Sequence, residues 1–252
     1  MNGLVSAFLL TESVGGSLAV IAAVVFLTHR ALKRGGWTDG ERRKAVWVVA
    51  SLLAGWFVVA LVPSRAGFYH NGQLPTIQYG LLGPAAVVLV LFWSWPFLRR
   101  VVDAVSQQWI VGVQFYRVLG VIFLVLYAIG QLPGVFALPA GLGDLAVGLA
   151  APAVGWAYMR SPRERAGRLW VWNFLGLLDL VVAVATGFLT SPSPFQLFSL
   201  DKPNELIAAF PLVMIPVFLV PLSILLHFAS LWKLRRAAEV HGAGAAATLP
   251  VG

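Results

Sequence analysis

Residues 208–223 read AAFPLVMIPVFLVPLS, a stretch with no charged residue in which Pro211, Pro216 and Pro221 recur at every fifth position. It is as apolar as a membrane-spanning helix. Yet a proline inside a helix removes one backbone hydrogen bond and crowds the preceding turn. The carbonyls freed are those four residues back, at Ile207, Leu212 and Val217. In hydrocarbon no water satisfies them, so protein must. A step of five residues turns about 140°, so the three openings spiral and cannot all face one neighbour. Two readings follow. The outer half of this span is irregular and borders a hydrated or substrate-holding cavity, or the helix is bent and fully packed.

The rest of the chain has the same solvent. Of 252 residues, 59% are hydrophobic and 11% charged, against about 25% charged in a soluble domain. Seven apolar stretches are each long enough to cross a hydrocarbon core, at 4–29, 44–62, 77–98, 109–130, 138–159, 168–190 and 205–233. They are continuously apolar, so they read as helices and not as barrel strands. The opening MNGLVSAFLLTES has no basic leader, so the first stretch reads as a retained span. The expected fold is an all-α seven-transmembrane-helix bundle over 1–236 with a flexible cytoplasmic tail at 237–252. No cysteine is present, which excludes disulfides, thiolate metal sites and cysteine nucleophiles.

Charge placement sets the expected orientation. Arg30, Lys33, Arg34, Arg42, Arg43, Lys44, Arg99, Arg100, Arg160, Arg163, Arg165, Arg168, Lys233, Arg235 and Arg236 all fall on one side. Only Arg65 and Lys202 fall on the other, and Arg117 lies inside a span. The positive-inside rule then puts the N-terminus outside and the C-terminus in the cytoplasm. Trp47, Trp93, Trp95, Trp109, Trp156, Trp170, Trp172 and Trp232 sit near the same ends, as interfacial rings do. The net charge of +8 is therefore a topology signal, and no nucleic-acid partner is expected. The bilayer is the expected partner. The Ala/Val/Leu-rich composition reads as prokaryotic, which points to the inner membrane.

Ionisable groups within spans cost at least about 2.5–3.5 kcal/mol at a helix centre, so each needs a reason. Asp179 is near the middle of its span, on a face shared with Gly176, Ala183 and Gly187. Small residues mark close packing, so it points at protein, either as a proton or cation site or as a structural hydrogen-bonding group. Glu12 lies roughly 12 Å inward from Leu4, also on a small-residue face, or else reaches the outer interface. Asp144 reads as a first-turn residue of a helix starting near Pro139 and Gly141, favoured there by the helix dipole. Alternatively, LPGVFALPAG before it is re-entrant and lines a cavity. Arg117 shares a face with Gln114 and Gly120 and pairs with a carboxylate, binds an anionic substrate group, or snorkels. Asn173 reads as a helix–helix hydrogen-bonding residue or a ligand. His227 forms a stripe with Ser223 and Ser230, as a relay, a metal ligand or a packing group.

No catalytic signature such as HExxH, GxSxG or a Walker motif is present, so an enzyme is the less favoured class. Seven helices with an outer N-terminus invite comparison with microbial rhodopsins. The seventh span has no lysine before Lys233, which leaves a retinal Schiff base without a partner. The leading expectation is a small transporter or ion/proton-coupled carrier of a small molecule or ion, using the buried carboxylates. The alternatives are a non-catalytic sensor or assembly subunit, a haem b protein clamped by His29 and His227, and an intramembrane lipid-modifying enzyme. No cofactor is required by the sequence.

Overall fold

The computed structural model describes residues 3–70 and 76–246. Residues 71–75, between the second and third expected spans, and 247–252 of the expected tail lie outside the described residues. Seven helices are long and apolar enough to cross a membrane: α1 Val5–Arg34, α2 Asp39–Arg65, α3 Thr76–Ser94, α4 Gln107–Ala128, α5 Gly134–Arg160, α6 Pro162–Thr190 and α7 Ile215–Glu239. No strand occurs among the described residues. The protein is a multi-pass, all-helical membrane protein.

Several helices outrun the apolar spans because a helix need not stop at the interface. α2 begins at a capping box: Thr38 Oγ1 accepts the Glu41 N–H and Glu41 Oε2 accepts the Thr38 N–H, both at 3.3 Å. A short helix not expected from the sequence, Pro96–Ala104, follows α3. It buries Leu98 and Val101 and leaves Arg100 exposed, as a helix lying along an interface does. Basic side chains at this end sit over rings: Arg100 over Trp37, Lys44 over Phe97, and Arg236 over Trp232. Lys233 Nζ donates to the carbonyls of Val102, Asp103 and Val105, tying α7 to the short helix.

Two starts differ from expectation in ways that matter. α5 begins at Gly134 and runs unbroken through Pro139 and Pro152, so the stretch 132–141 is not re-entrant and the expected start near Pro139 is corrected. Asp144 is then ten residues in, about 15 Å along the axis, too deep for a first-turn dipole effect. The expected span at 205–233 becomes a helix only at Ile215. Ala209 is extended, and a residue before proline, here Phe210, disfavours the helical region. Pro216 falls at the first turn, where its missing N–H costs nothing.

α7 is the central helix: 61% of its apolar window is buried, against 22–44% for the others. Leu212, Val213, Met214, Val217 and Phe218 are fully buried, and Phe218 meets Trp56 and Phe57 edge-on at 5.2 and 5.6 Å. Two of the three freed carbonyls have identifiable partners. The Val217 carbonyl, released by Pro221, accepts the Trp56 indole N–H at 3.3 Å. The Leu212 carbonyl, released by Pro216, accepts the Ile215 N–H at 3.0 Å in a turn. Residues 215–219 form a π-helical turn. Trp56→Phe keeps a ring but removes the only indole donor to Val217. It should lower unfolding stability in detergent by about 1–3 kcal/mol, and unchanged stability would mean this carbonyl is satisfied otherwise.

Candidate functional site

α4 does not stay α-helical. It is α over Gln107–Gly112, 3₁₀ over Val113–Gly120 and α again over Val121–Ala128. A run of eight 3₁₀ residues is unusual and marks strain or function. Arg117 sits inside it and is 3% exposed.

The Arg117 guanidinium is shared between two helices' carboxylates. Nε donates to Asp144 Oδ1 on α5 at 2.7 Å, and Nη2 pairs with Asp179 Oδ2 on α6. Nη1 donates to the Gly176 carbonyl at 3.3 Å and lies 3.1 Å from His227 Nε2 on α7. A guanidinium only donates, so His227 Nε2 accepts and the ring proton is on Nδ1. That Nδ1–H faces Asn173 Oδ1 at 3.0 Å, and the Asn173 amide donates to the Leu169 carbonyl and to Ser230 Oγ at 2.8 and 2.9 Å. The imidazole is therefore the neutral Nδ1–H tautomer. Two carboxylates face one permanent cation, so with both ionised the cluster holds one negative charge in excess.

Glycines make the room. A Cβ at Gly143 would overlap the Asp179 carboxylate, and one at Gly176 would overlap the His227 imidazole.

The polar chain continues toward the basic end of the bundle. Gln107 Nε2 donates to Ser230 Oγ at 2.6 Å and to the Ser230 carbonyl at 3.1 Å. On the other side of His227, Tyr116 and Ser223 share a 2.6 Å hydroxyl contact. Gln114 is fully buried, and neither of its amide atoms has a hydrogen-bond partner among the described residues.

A cavity of about 250 Å³ opens at the opposite end, between Tyr69, Thr76, Ser191 and Glu205, and reaches down to Asp144. Phe123, Phe136, Leu180, Ile215 and Pro216 form its walls. A second cavity of about 190 Å³ lies toward the basic end, and among the described residues no titratable side chain lines it. Of these two cavities, the first has the titratable lining.

Of the residues singled out in the sequence, Arg117, Asp144, Asp179, Asn173 and His227 are brought together. Glu12 is not: it is half-buried in a π-helical turn of α1 and makes no ion pair or hydrogen bond among the described residues. The two histidines of the expected haem clamp sit in different surroundings. His29 is exposed on α1, while both ring nitrogens of His227 are hydrogen-bonded within the protein, leaving no lone pair for iron. No group of three or more His, Asp or Glu side chains suited to a metal ion occurs among the described residues. Trp172 is corrected from an interfacial ring to a buried one: it stands 4.9 Å from the His227 ring and donates to the Val147 carbonyl at 3.3 Å. Gln107 went unremarked in the sequence, although its spacing of seven and ten from Gln114 and Arg117 places all three on one helical face.

These features define a seven-helix membrane protein with a paired-charge cluster at mid-depth beneath a cavity. The chain belongs to the family described as Domain of unknown function (DUF8737), whose model matches residues 74–235. The match spans α3 to α7 and includes every residue of the charge cluster, while Glu12 lies outside it. No curated protein and no solved structure matches the chain.

Proposed function

We propose that the protein is a proton- or cation-coupled membrane carrier in which Arg117, Asp144 and Asp179 form the coupling site. One observation carries this reading: a single guanidinium shared by two carboxylates, one of which floors a cavity open at one end of the bundle. An excess charge buried at mid-membrane is costly. The site therefore favours taking up one positive charge, a proton or a cation, and releasing it when the bundle opens the other way. His227 and Asn173 hold the arginine from behind, as positioning residues. By the positive-inside rule, the N-terminus and the cavity mouth face outward and the basic end faces the cytoplasm. The reading places the protein in the inner membrane of a prokaryotic cell, with a small molecule or ion as substrate.

The test uses proteoliposomes holding a trapped pH dye and a panel of small cationic, neutral and anionic solutes. A carrier moves the dye signal with at least one solute. Asp179→Asn, which leaves Asp144 to pair with Arg117, should abolish that movement while keeping the fold. Full-rate movement in the variant removes Asp179 from the mechanism.

A second reading has its own support. Every nitrogen of the Arg117 guanidinium has a partner within the protein, which also suits a static cross-brace in a sensor or assembly subunit. In that case no solute moves the dye, and a neutral replacement of the whole triad folds as well as the native protein.

A further inference from the structure

We infer that the cavity above Asp144 binds a small organic monocation, an ammonium headgroup on an apolar or aromatic body; this rests on the carrier reading and names its substrate class.

Charge comes first. Among the described residues, the titratable side chains lining the cavity are the acids Asp144 and Glu205, with His70 and Tyr69, and no lysine or arginine lines it. An anion would meet two carboxylates and no cationic partner there. With both carboxylates ionised, the cluster below holds one excess negative charge, which a single ammonium cancels.

The floor offers a free acceptor. Asp144 Oδ1 is taken by Arg117 Nε, and no other hydrogen bond reaches this carboxylate among the described residues. Asp144 is 8% exposed and is one of the residues lining the cavity. A largely buried acceptor at the base of a cavity is where a ligand donor belongs.

The walls choose between cations. A bare metal cation wants six or more oxygen ligands, and one carboxylate oxygen beneath Phe123, Phe136, Leu180 and Ile215 does not supply them. Those walls instead desolvate an apolar body. Phe123 and Phe136 meet edge-on at 5.2 Å, and aromatic faces attract alkylammonium groups. A cavity of about 250 Å³ is at the small end of ligand sites, suited to a compact body. Proton and ammonium compete for the same excess charge, so loading one expels the other.

Three ligands with one body separate the possibilities: 3-phenylpropylammonium, 3-phenylpropanol and 3-phenylpropanoate, titrated calorimetrically into the full-length protein in detergent. The ammonium should bind at least about tenfold more tightly than the alcohol, and the carboxylate not measurably. Asp144→Asn should erase the preference for the ammonium while leaving the alcohol unchanged. Because that variant exposes Arg117 to misfolding, Ala183→Trp serves as a second, filling the cavity from α6 without touching the charges; it should remove binding of both ligands. Equal binding of the three ligands, or native binding by Ala183→Trp, overturns the inference. Ammonium binding without solute-driven proton movement in proteoliposomes keeps the site and discards the carrier. Proton movement with other solutes but no ammonium binding keeps the carrier and overturns this substrate class.

Discussion

Arg117→Met lowers the unfolding free energy by about 3–5 kcal/mol, the usual cost of removing one partner from a buried ionic set. Asp144 and Asp179 then face each other without the cation between them, and His227 Nε2 loses its donor. The measurement is equilibrium unfolding in mixed micelles. A neutral triad, Arg117→Met with Asp144→Asn and Asp179→Asn, should recover most of the loss, since a buried ionic set replaced by neutral groups is often no less stable. The pair of results separates the worth of the charges from the damage of stranding them. A single variant as stable as the native protein would mean that the guanidinium does not hold α5 and α6 together.

Asn173→Leu is expected to cost about 2–3 kcal/mol, whereas Gln114→Leu, equally buried, should be neutral or stabilising. The contrast follows from partners. Asn173 accepts from His227 and donates to Leu169 and Ser230, so its removal strands several polar groups. Gln114 has no partner to strand. Fluorescence gives a second readout: the Trp172 ring lies tilted beside His227 with centroids 4.9 Å apart, so loosening the imidazole changes the emission of that indole. Equal costs for the two variants would show that the hydrogen-bond chain does not organise this part of the bundle.

The spans were legible because lipid demands long apolar stretches, and an ionisable residue inside one stands out at once. Their convergence was not legible. Arg117 meets partners 27, 62 and 110 residues away, and only the packing of four helices brings these together. Glu12 gave a signal as strong as Asp144 yet stands apart, since its depth along one helix says nothing of which neighbour it faces. The prolines announced an irregular entry to α7, and the freed carbonyls could be numbered. That Trp56 would serve one of them depended on α2 lying alongside. The 3₁₀ stretch in α4 had no sequence signal, for VQFYRVLG contains no breaker before its final glycine.

That stretch has a mechanical consequence. A 3₁₀ residue advances about 2.0 Å and 120°, an α residue about 1.5 Å and 100°. Rewinding all eight residues from Val113 to Gly120 to α geometry would shorten the rod by about 4 Å and twist its ends by about 160° relative to each other. α4 is thus threaded like a screw, and the guanidinium is mounted on the thread. Sliding its outer end toward the inner one and swinging the positive charge off its two anchors are a single motion.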